Sequence, residues 1–315
     1  MEIRIIGTES LGVRGLSCVE KIGNRKIFID PGISLGLIRN GRKPHPVQIG
    51  VGEILRKKIL DEIGTATDIV LSHFHGDHIP LYDANPYQLD VAQIRNILPE
   101  CKVWADVPES TEGVLRHRVE AIVLGLKKEI CDARFFQDEN LSFLGPVPHG
   151  EDCSPRNRIM MTRITDGEQV FLHASDIQLL DEKTIDKILA CAPDIVLASG
   201  PPLYREEIAE EKSAIARQNA MKLSEHVELL ILDHHLLRCE SGLAWLDELS
   251  ARAKNRVLCA ADYMGTGRHL LEEKRTQMYN DLPVPENWHR FYAESRTGTE
   301  NYLDMARKRY AWFRY

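Results

Sequence analysis

The sequence predicts an α/β layered protein, with mixed sheets covered by helices. Three observations lead there. The first thirty residues read as β-strands joined by a hairpin, and from Asp181 onward helical and strand patterns alternate. No internal repeat, low-complexity tract or Gly/Ser linker divides the 315 residues, so they read as one domain.

The elements follow in order. Glu2–Gly7 and Leu16–Ile22 are strands, and a Gly23-Asn24 turn leads into a third strand at Lys26–Asp30. Pro31–Gly52 reads as a Gly- and Pro-rich loop carrying Arg39, Arg42, Lys43 and His45. Glu53–Ile63 spaces Ile54, Leu55, Ile59 and Ile63 as a helix does, and Asp68–Leu71 is a short buried strand. Glu109–Ile130 carries Leu115, Val119, Ile122, Val123 and Leu126 on one helical face. Strands recur at Leu141–Leu144, Arg158–Ile164 and Gln169–Ala174. Then Lys183–Ala190 is helical, Asp194–Ala198 a strand, Arg205–Leu223 a helix, Val227–Leu232 a strand and Trp245–Lys254 a helix. An aromatic and basic extension runs from about residue 265.

Composition narrows the functional classes. Lys+Arg 40 against Asp+Glu 47 gives a net charge of −7, which excludes a chain-wide basic wrapper of nucleic acid but not a local basic patch. Seven cysteines are scattered without a C-x-x-C pair, as expected of reduced thiols in the cytoplasm. The opening residues form a charged strand rather than a signal peptide, and no apolar run approaches the ~20 residues that span a bilayer. A cytoplasmic protein without membrane partners is the expectation.

The chemistry concentrates in Ser72-His73-Phe74-His75-Gly76-Asp77-His78, directly after the strand Asp68–Leu71. Three imidazoles and a carboxylate at a strand end can converge on metal, since both donor types bind zinc at about 2.0–2.2 Å. His73 and His75 stand two apart, so in extended backbone they point the same way. A two-metal site needs further donors at other strand ends. They are present: Asp30 ends Lys26–Ile29, His149 follows Leu141–Leu144, Asp176 ends Val170–Ser175, and Asp233-His234-His235 ends Val227–Leu232. His173, inside its strand, reads as a core residue.

In this order and strand context, Asp30, the H-x-H-x-D-H block, His149, Asp176 and His234/His235 resemble the metallo-β-lactamase superfamily, and within it the archaeal predicted metal-dependent hydrolases. The resemblance spans Asp30 to His235 and fits the N-terminal strands; the tail after about Met264 lies outside it. It implies a four-layered αββα sandwich with a dinuclear site at one sheet edge. His73, His75 and His149 would bind one metal. Asp77, His78 and one of His234/His235 would bind the other, with Asp176 bridging and Asp30 steadying the H-x-H loop. Laid over the L-T-H-F-S motif of the tRNA 3′-processing branch, Leu232-Asp233-His234-His235 selects His234. His235 would then support a ligand or donate a proton. A carboxylate at Asp176, where β-lactam-cleaving members commonly have Cys, points away from antibiotics. Leu-Asp233-His234-His235 also matches the DHH phosphoesterase signature, but that family's early D-x-D motif is missing.

The expected chemistry is hydrolysis by water activated between two divalent ions, zinc foremost with manganese or iron also suited, and Asp77 as the catalytic proton handler. Glu9–Cys18 resembles the first-strand motif of RNA-processing members and favours a phosphodiester; a small ester, thioester or lactone is the alternative. A non-catalytic metal-binding protein would be expected to have lost donors that are all present here. Arg14, Tyr204 and Arg205 are candidate substrate contacts. Eight of the 21 aromatic residues fall in the last 28, interleaved with Arg307, Lys308, Arg309 and Arg314. Such a segment can stack single-stranded bases, but packing on its own body, or on a second copy in a homo-oligomer, is the better expectation.

Overall fold

Two six-stranded sheets carry the chain in the structure, a computed structural model that describes residues 1–107, 113–152, 154, 157–208 and 210–315. The first holds β1 (Glu2–Gly7), β2 (Ser17–Ile22), β3 (Arg25–Ile29), β4 (Asp68–Leu71), β5 (Lys102–Ala105) and β6 (Ile130–Asp132), side by side in chain order. The second holds β7 (Leu141–Pro148), β8 (Arg158–Thr165), β9 (Val170–His173), β10 (Ile195–Ala198), β11 (Leu229–Leu232) and β12 (Arg256–Leu258), again in chain order. In each sheet the first three strands are antiparallel and the last four parallel. One topology is thus laid down twice, although the sequence carries no repeat.

The helices are α1 (Pro46–Ile63), α2 (Val91–Arg95), α3 (Gly113–Leu126), α4 (Glu182–Ala190), α5 (Glu210–His226), α6 (Glu240–Arg252), α7 (Ala260–Tyr263), α8 (Arg275–Asp281), α9 (Trp288–Ala293) and α10 (Glu300–Arg309). α1 packs on β1, α2 and α10, and α2 packs on α3; α4, α5 and α6 cover the second sheet. Helices outside and sheets inside make the α/β sandwich expected from the sequence. Buried on both faces, β10 (Ile-Val-Leu-Ala) and β11 (Leu-Leu-Ile-Leu) are continuously apolar, as central parallel strands must be. The buried apolar residues of both sheets form one cluster. None of the described helices is long and apolar enough to cross a membrane.

Several boundaries differ from the sequence reading. α1 starts at Pro46, inside the expected loop, because His45 caps it and Pro46 suits the first helical position. Gly50 and Gly52 weaken the helical pattern there, yet Gly50 serves packing: a Cβ on it would lie 3.0 Å from Leu303 of α10. The helix expected at Glu109–Ile130 is observed as Gly113–Leu126, its first expected turn falling partly outside the described residues. Residues 205–208 are turn, not helix, and α6 begins five residues earlier than expected. The short strands β5 and β6 escaped the sequence reading altogether.

The aromatic C-terminal segment packs on the chain's own body. Trp288, Tyr302, Tyr310 and Phe313 are buried, and the Tyr315 hydroxyl donates to the Leu11 carbonyl (2.5 Å).

Candidate metal centre

β1, β3, β4, β7, β9, β10 and β11 all end at one edge of the sandwich, and the exits from β3, β4, β7, β9 and β11 supply the donors. Asp30, Ser175 and His234 leave their strands in the left-handed backbone region (φ 49°, 34° and 44°), a conformation that costs about 1–3 kcal/mol unless the surroundings enforce it. Dense hydrogen bonding does so. The Asp233 carboxylate accepts from the Thr8 hydroxyl (2.9 Å) and from the backbone N–H of Ser10 (2.9 Å), His234 (2.7 Å) and Ala260 (3.0 Å). Close approach is secured by glycine. A Cβ on Gly32 would lie 2.2 Å from the His78 carbonyl carbon, and one on Gly15 would lie 2.6 Å from the Asp77 oxygen.

Asp30 is the hub beneath the H-x-H-x-D-H loop. Fully buried, it accepts from the Ser72 N–H (2.8 Å), the Ser72 hydroxyl (2.6 Å), the Ser175 hydroxyl (2.7 Å) and His78 Nδ1 (2.9 Å). Burial alone would raise its pKa; the bond to His78 and that ring's charge outweigh burial and hold it at about 2. His78 Nδ1 is thereby committed, and Nε2 faces the centre.

At the centre stands Asp176, 1% exposed and ringed by six imidazoles. Its Oδ2 lies 3.4 Å from His73 Nε2, 3.9 Å from His75 Nδ1, 3.2 Å from His149 Nε2 and 3.5 Å from His235 Nε2. Its Oδ1 lies 3.1 Å from His78 Nε2 and 3.4 Å from His234 Nε2. Asp77 Oδ2 joins this second set, 3.5 Å from His234 Nε2. The two oxygens of one carboxylate therefore divide the donors into two groups. His234 and His235, left as alternatives by the sequence, fall on opposite sides, His234 beside Asp77 and His78, His235 beside His149. His173 is turned away, its Nε2 bonded to the Leu16 carbonyl (2.9 Å).

These residues fit a divalent metal pair. His73 Nε2 and Asp176 Oδ1 are buried without a hydrogen-bond partner among the described residues, an orphaning that a metal relieves. Burial, together with His78 and His75, pushes His73 down to about 3, and burial pushes His234 and His235 far down as well. Their rings stay neutral, the form that binds metal. For Asp77, burial raises the pKa, but His78 and Arg238 outweigh it and the carboxyl is held down and ionised.

The candidate substrate contacts separate. Arg14 is clamped to Glu272 by two hydrogen bonds (2.7 and 2.5 Å). Exposed Arg205 lies over the Tyr204 ring, its Cζ 5.8 Å from the centroid. The Tyr204 hydroxyl accepts from Nη1 of Arg238 (3.0 Å), a residue that the sequence reading missed. Arg238 is 5% exposed, and its Nη2 lies 3.3 Å from Asp77 Oδ2. The signal was available: Arg238 follows His234 by four residues, a spacing that brings side chains together on a helical turn. The side chains of His75 (35%) and Asp77 (19%) are the most exposed of the cluster, so the centre opens on their side.

Comparison with known proteins supplies the family. No family model matches the sequence. A UPF0282 protein of Methanosarcina mazei is 42% identical over 303 residues, covering 96% of this chain and all of the relative. The chain belongs to the UPF0282 family. A second member, from Pyrococcus furiosus, is 30% identical over 310 residues, 93% of this chain and 98% of that one. Among solved structures, the metallo-β-lactamase fold protein YhfI from Bacillus subtilis superposes with a TM-score of 0.50 at 12% identity, covering 82% of this chain and 95% of that one. This UPF0282 chain therefore has the metallo-β-lactamase fold, as the motif order implied, and its relatives are archaeal.

Proposed function

We propose that this UPF0282 chain is a metal-dependent hydrolase whose preferred bond is a phosphodiester. One observation carries the reading: a single buried carboxylate, Asp176, offers one oxygen to each of two donor groups and leaves buried polar atoms unpartnered without metal. His73, His75, His149 and His235 would hold one ion and Asp77, His78 and His234 the other, with Asp176 shared. A bound pair of divalent ions, zinc foremost and manganese or iron also suited, would supply Lewis acidity and lower the pKa of water.

The chain's own residues do the rest. Asp77 is ionised and lies toward the open side of the cluster, so its carboxylate can orient water and hold a proton there. Asp30 accepts from His78 Nδ1 and so directs Nε2 at Asp176, the nitrogen whose proton a metal ion would displace. The walls formed by His73, His78 and His234 exclude bulk water, which strengthens every charge interaction inside.

The test compares wild type and Asp77→Asn after metal reconstitution, with bis(p-nitrophenyl) phosphate as substrate and metal content measured by plasma mass spectrometry. Turnover that falls about 10²–10⁴-fold in the variant is the expected result. A wild type that takes up no divalent ion overturns the reading. One that binds two ions and turns over thioesters or lactones but no phosphodiester overturns the choice of bond.

A further inference from the structure

Arg238 is buried beside the metal centre with its ion pairs open. Three other arginines hold a carboxylate at close range: Arg14 on Glu272 (2.7 and 2.5 Å), Arg25 on Asp68 (2.8 and 2.8 Å), Arg158 on Asp106 (2.6 and 2.5 Å). Arg238 is more buried than any of these three, yet its carboxylate contacts stay long, 3.3 Å to Asp77 and 3.5 Å from Nε to Glu9. Nε has no hydrogen-bond partner among the described residues. A guanidinium has five N–H donors, and burying it with Nε idle and both carboxylates at long range costs free energy that a bound anion would recover.

Its placement is fixed all the same. Arg238 closes the 3-10 turn Leu236–Arg238, whose first N–H is anchored on the carbonyls of Ser199 (3.1 Å) and Asp233 (3.0 Å). Nη1 donates to the Tyr204 hydroxyl (3.0 Å). Nη2 lies 3.2 Å from Nδ1 and 2.8 Å from Nε2 of His234. An atom that close to both ring nitrogens cannot sit on the lone-pair axis of either, so the guanidinium lies over the face of the imidazole. The cation thus stands against the second donor group, its Nη2 between His234 and Asp77. From there it borders Asp77, on the side where the centre is open.

We propose that Arg238, oriented by Tyr204, is the binding residue for the non-bridging oxygens of a phosphate ester, which makes the substrate an anion. Planar donors in a fork match two oxygens on one phosphorus, a geometry a point charge does not offer. The inference rests on the hydrolase reading above and narrows its substrate to phosphate esters.

Inorganic phosphate is the probe, titrated by calorimetry into metal-reconstituted wild type and Arg238→Gln, with the metal content of both proteins measured. Phosphate affinity at least tenfold weaker in the variant, at unchanged metal content and with a raised KM for bis(p-nitrophenyl) phosphate, is expected. Equal affinity in both metal-loaded proteins overturns the subsite and leaves the hydrolase reading intact. A metal-loaded wild type that binds no phosphate also overturns it, and a wild type without metal removes the hydrolase reading and the subsite together. Should Arg238→Gln fail to fold, Arg238→Lys, which keeps the charge, identifies the Arg238 Nε–H resonance of wild type by its absence, and that resonance shifts as phosphate binds. A resonance that stays in place at phosphate saturation overturns the proposal.

Discussion

Both oxygens of Asp30 face an N–H that cannot rotate away, Ser72 N on Oδ1 and His78 Nδ1 on Oδ2. An amide at this position would turn its NH2 against one of them. Asp30→Asn is therefore expected to weaken metal binding about 10–100-fold although residue 30 is no ligand, measured by competition with a chelating dye. The same carboxylate sets a pH signature. Its pKa in the folded chain is about 2, below the ordinary carboxylate range, so its contribution to stability is complete above about 4 and disappears as pH falls toward 2. Urea unfolding should show the gap between wild type and Asp30→Asn shrinking over that window.

α1 depends on an imidazole for its start. His45 Nδ1 accepts the Val47 N–H (3.2 Å), and Nε2 meets the Leu282 carbonyl (2.9 Å), so the neutral ring ties the helix to the C-terminal segment. Burial lowers its pKa to about 4 and, with neighbouring charges, that of His289 to about 4. The unfolded chain takes up these protons first, so stability falls as pH drops from about 6.5 to about 4. His45→Ala should flatten part of that slope and cost about 2–4 kcal/mol, from the lost cap and the orphaned carbonyl, read from chemical denaturation at neutral pH. At this scale the sequence was unevenly legible. The H-x-H-x-D-H block and the donors at strand ends could be read because chemistry-bearing residues directly follow short apolar runs. α1 was half hidden because its first turns contain glycines chosen for packing. β5 (Lys-Val-Trp-Ala) and β6 (Ile-Cys-Asp) are too short to show a period, and parallel pairing alone defines them. Arg238 was missed although it follows His234 by four residues, because that spacing carries meaning only once Leu236–Arg238 is known to turn.

For the whole molecule, the C-terminal segment closes the back of the centre. Glu272 holds Arg14, and Tyr315 holds Leu11, both partners lying in the loop that also carries Thr8, Ser10 and Gly15. Truncation after Arg309 removes the buried rings of Tyr310 and Phe313 and should lower stability by about 3–6 kcal/mol, with a lower thermal midpoint as the readout. Its aromatics are buried or half-buried, so packing on the chain's own body, the expectation preferred to base stacking, accounts for the composition.

The doubled topology has a consequence for how the molecule matures. His73, His75, Asp77 and His78 come from the first sheet, while His149, Asp176, His234 and His235 come from the second. A chain still emerging from synthesis, with its first sheet formed, would own half the donors and none of the shared carboxylate. Metal would be captured tightly only by a finished chain whose halves have docked, and once captured it would rivet one half to the other. The metal content of a preparation would then count the molecules that completed their assembly.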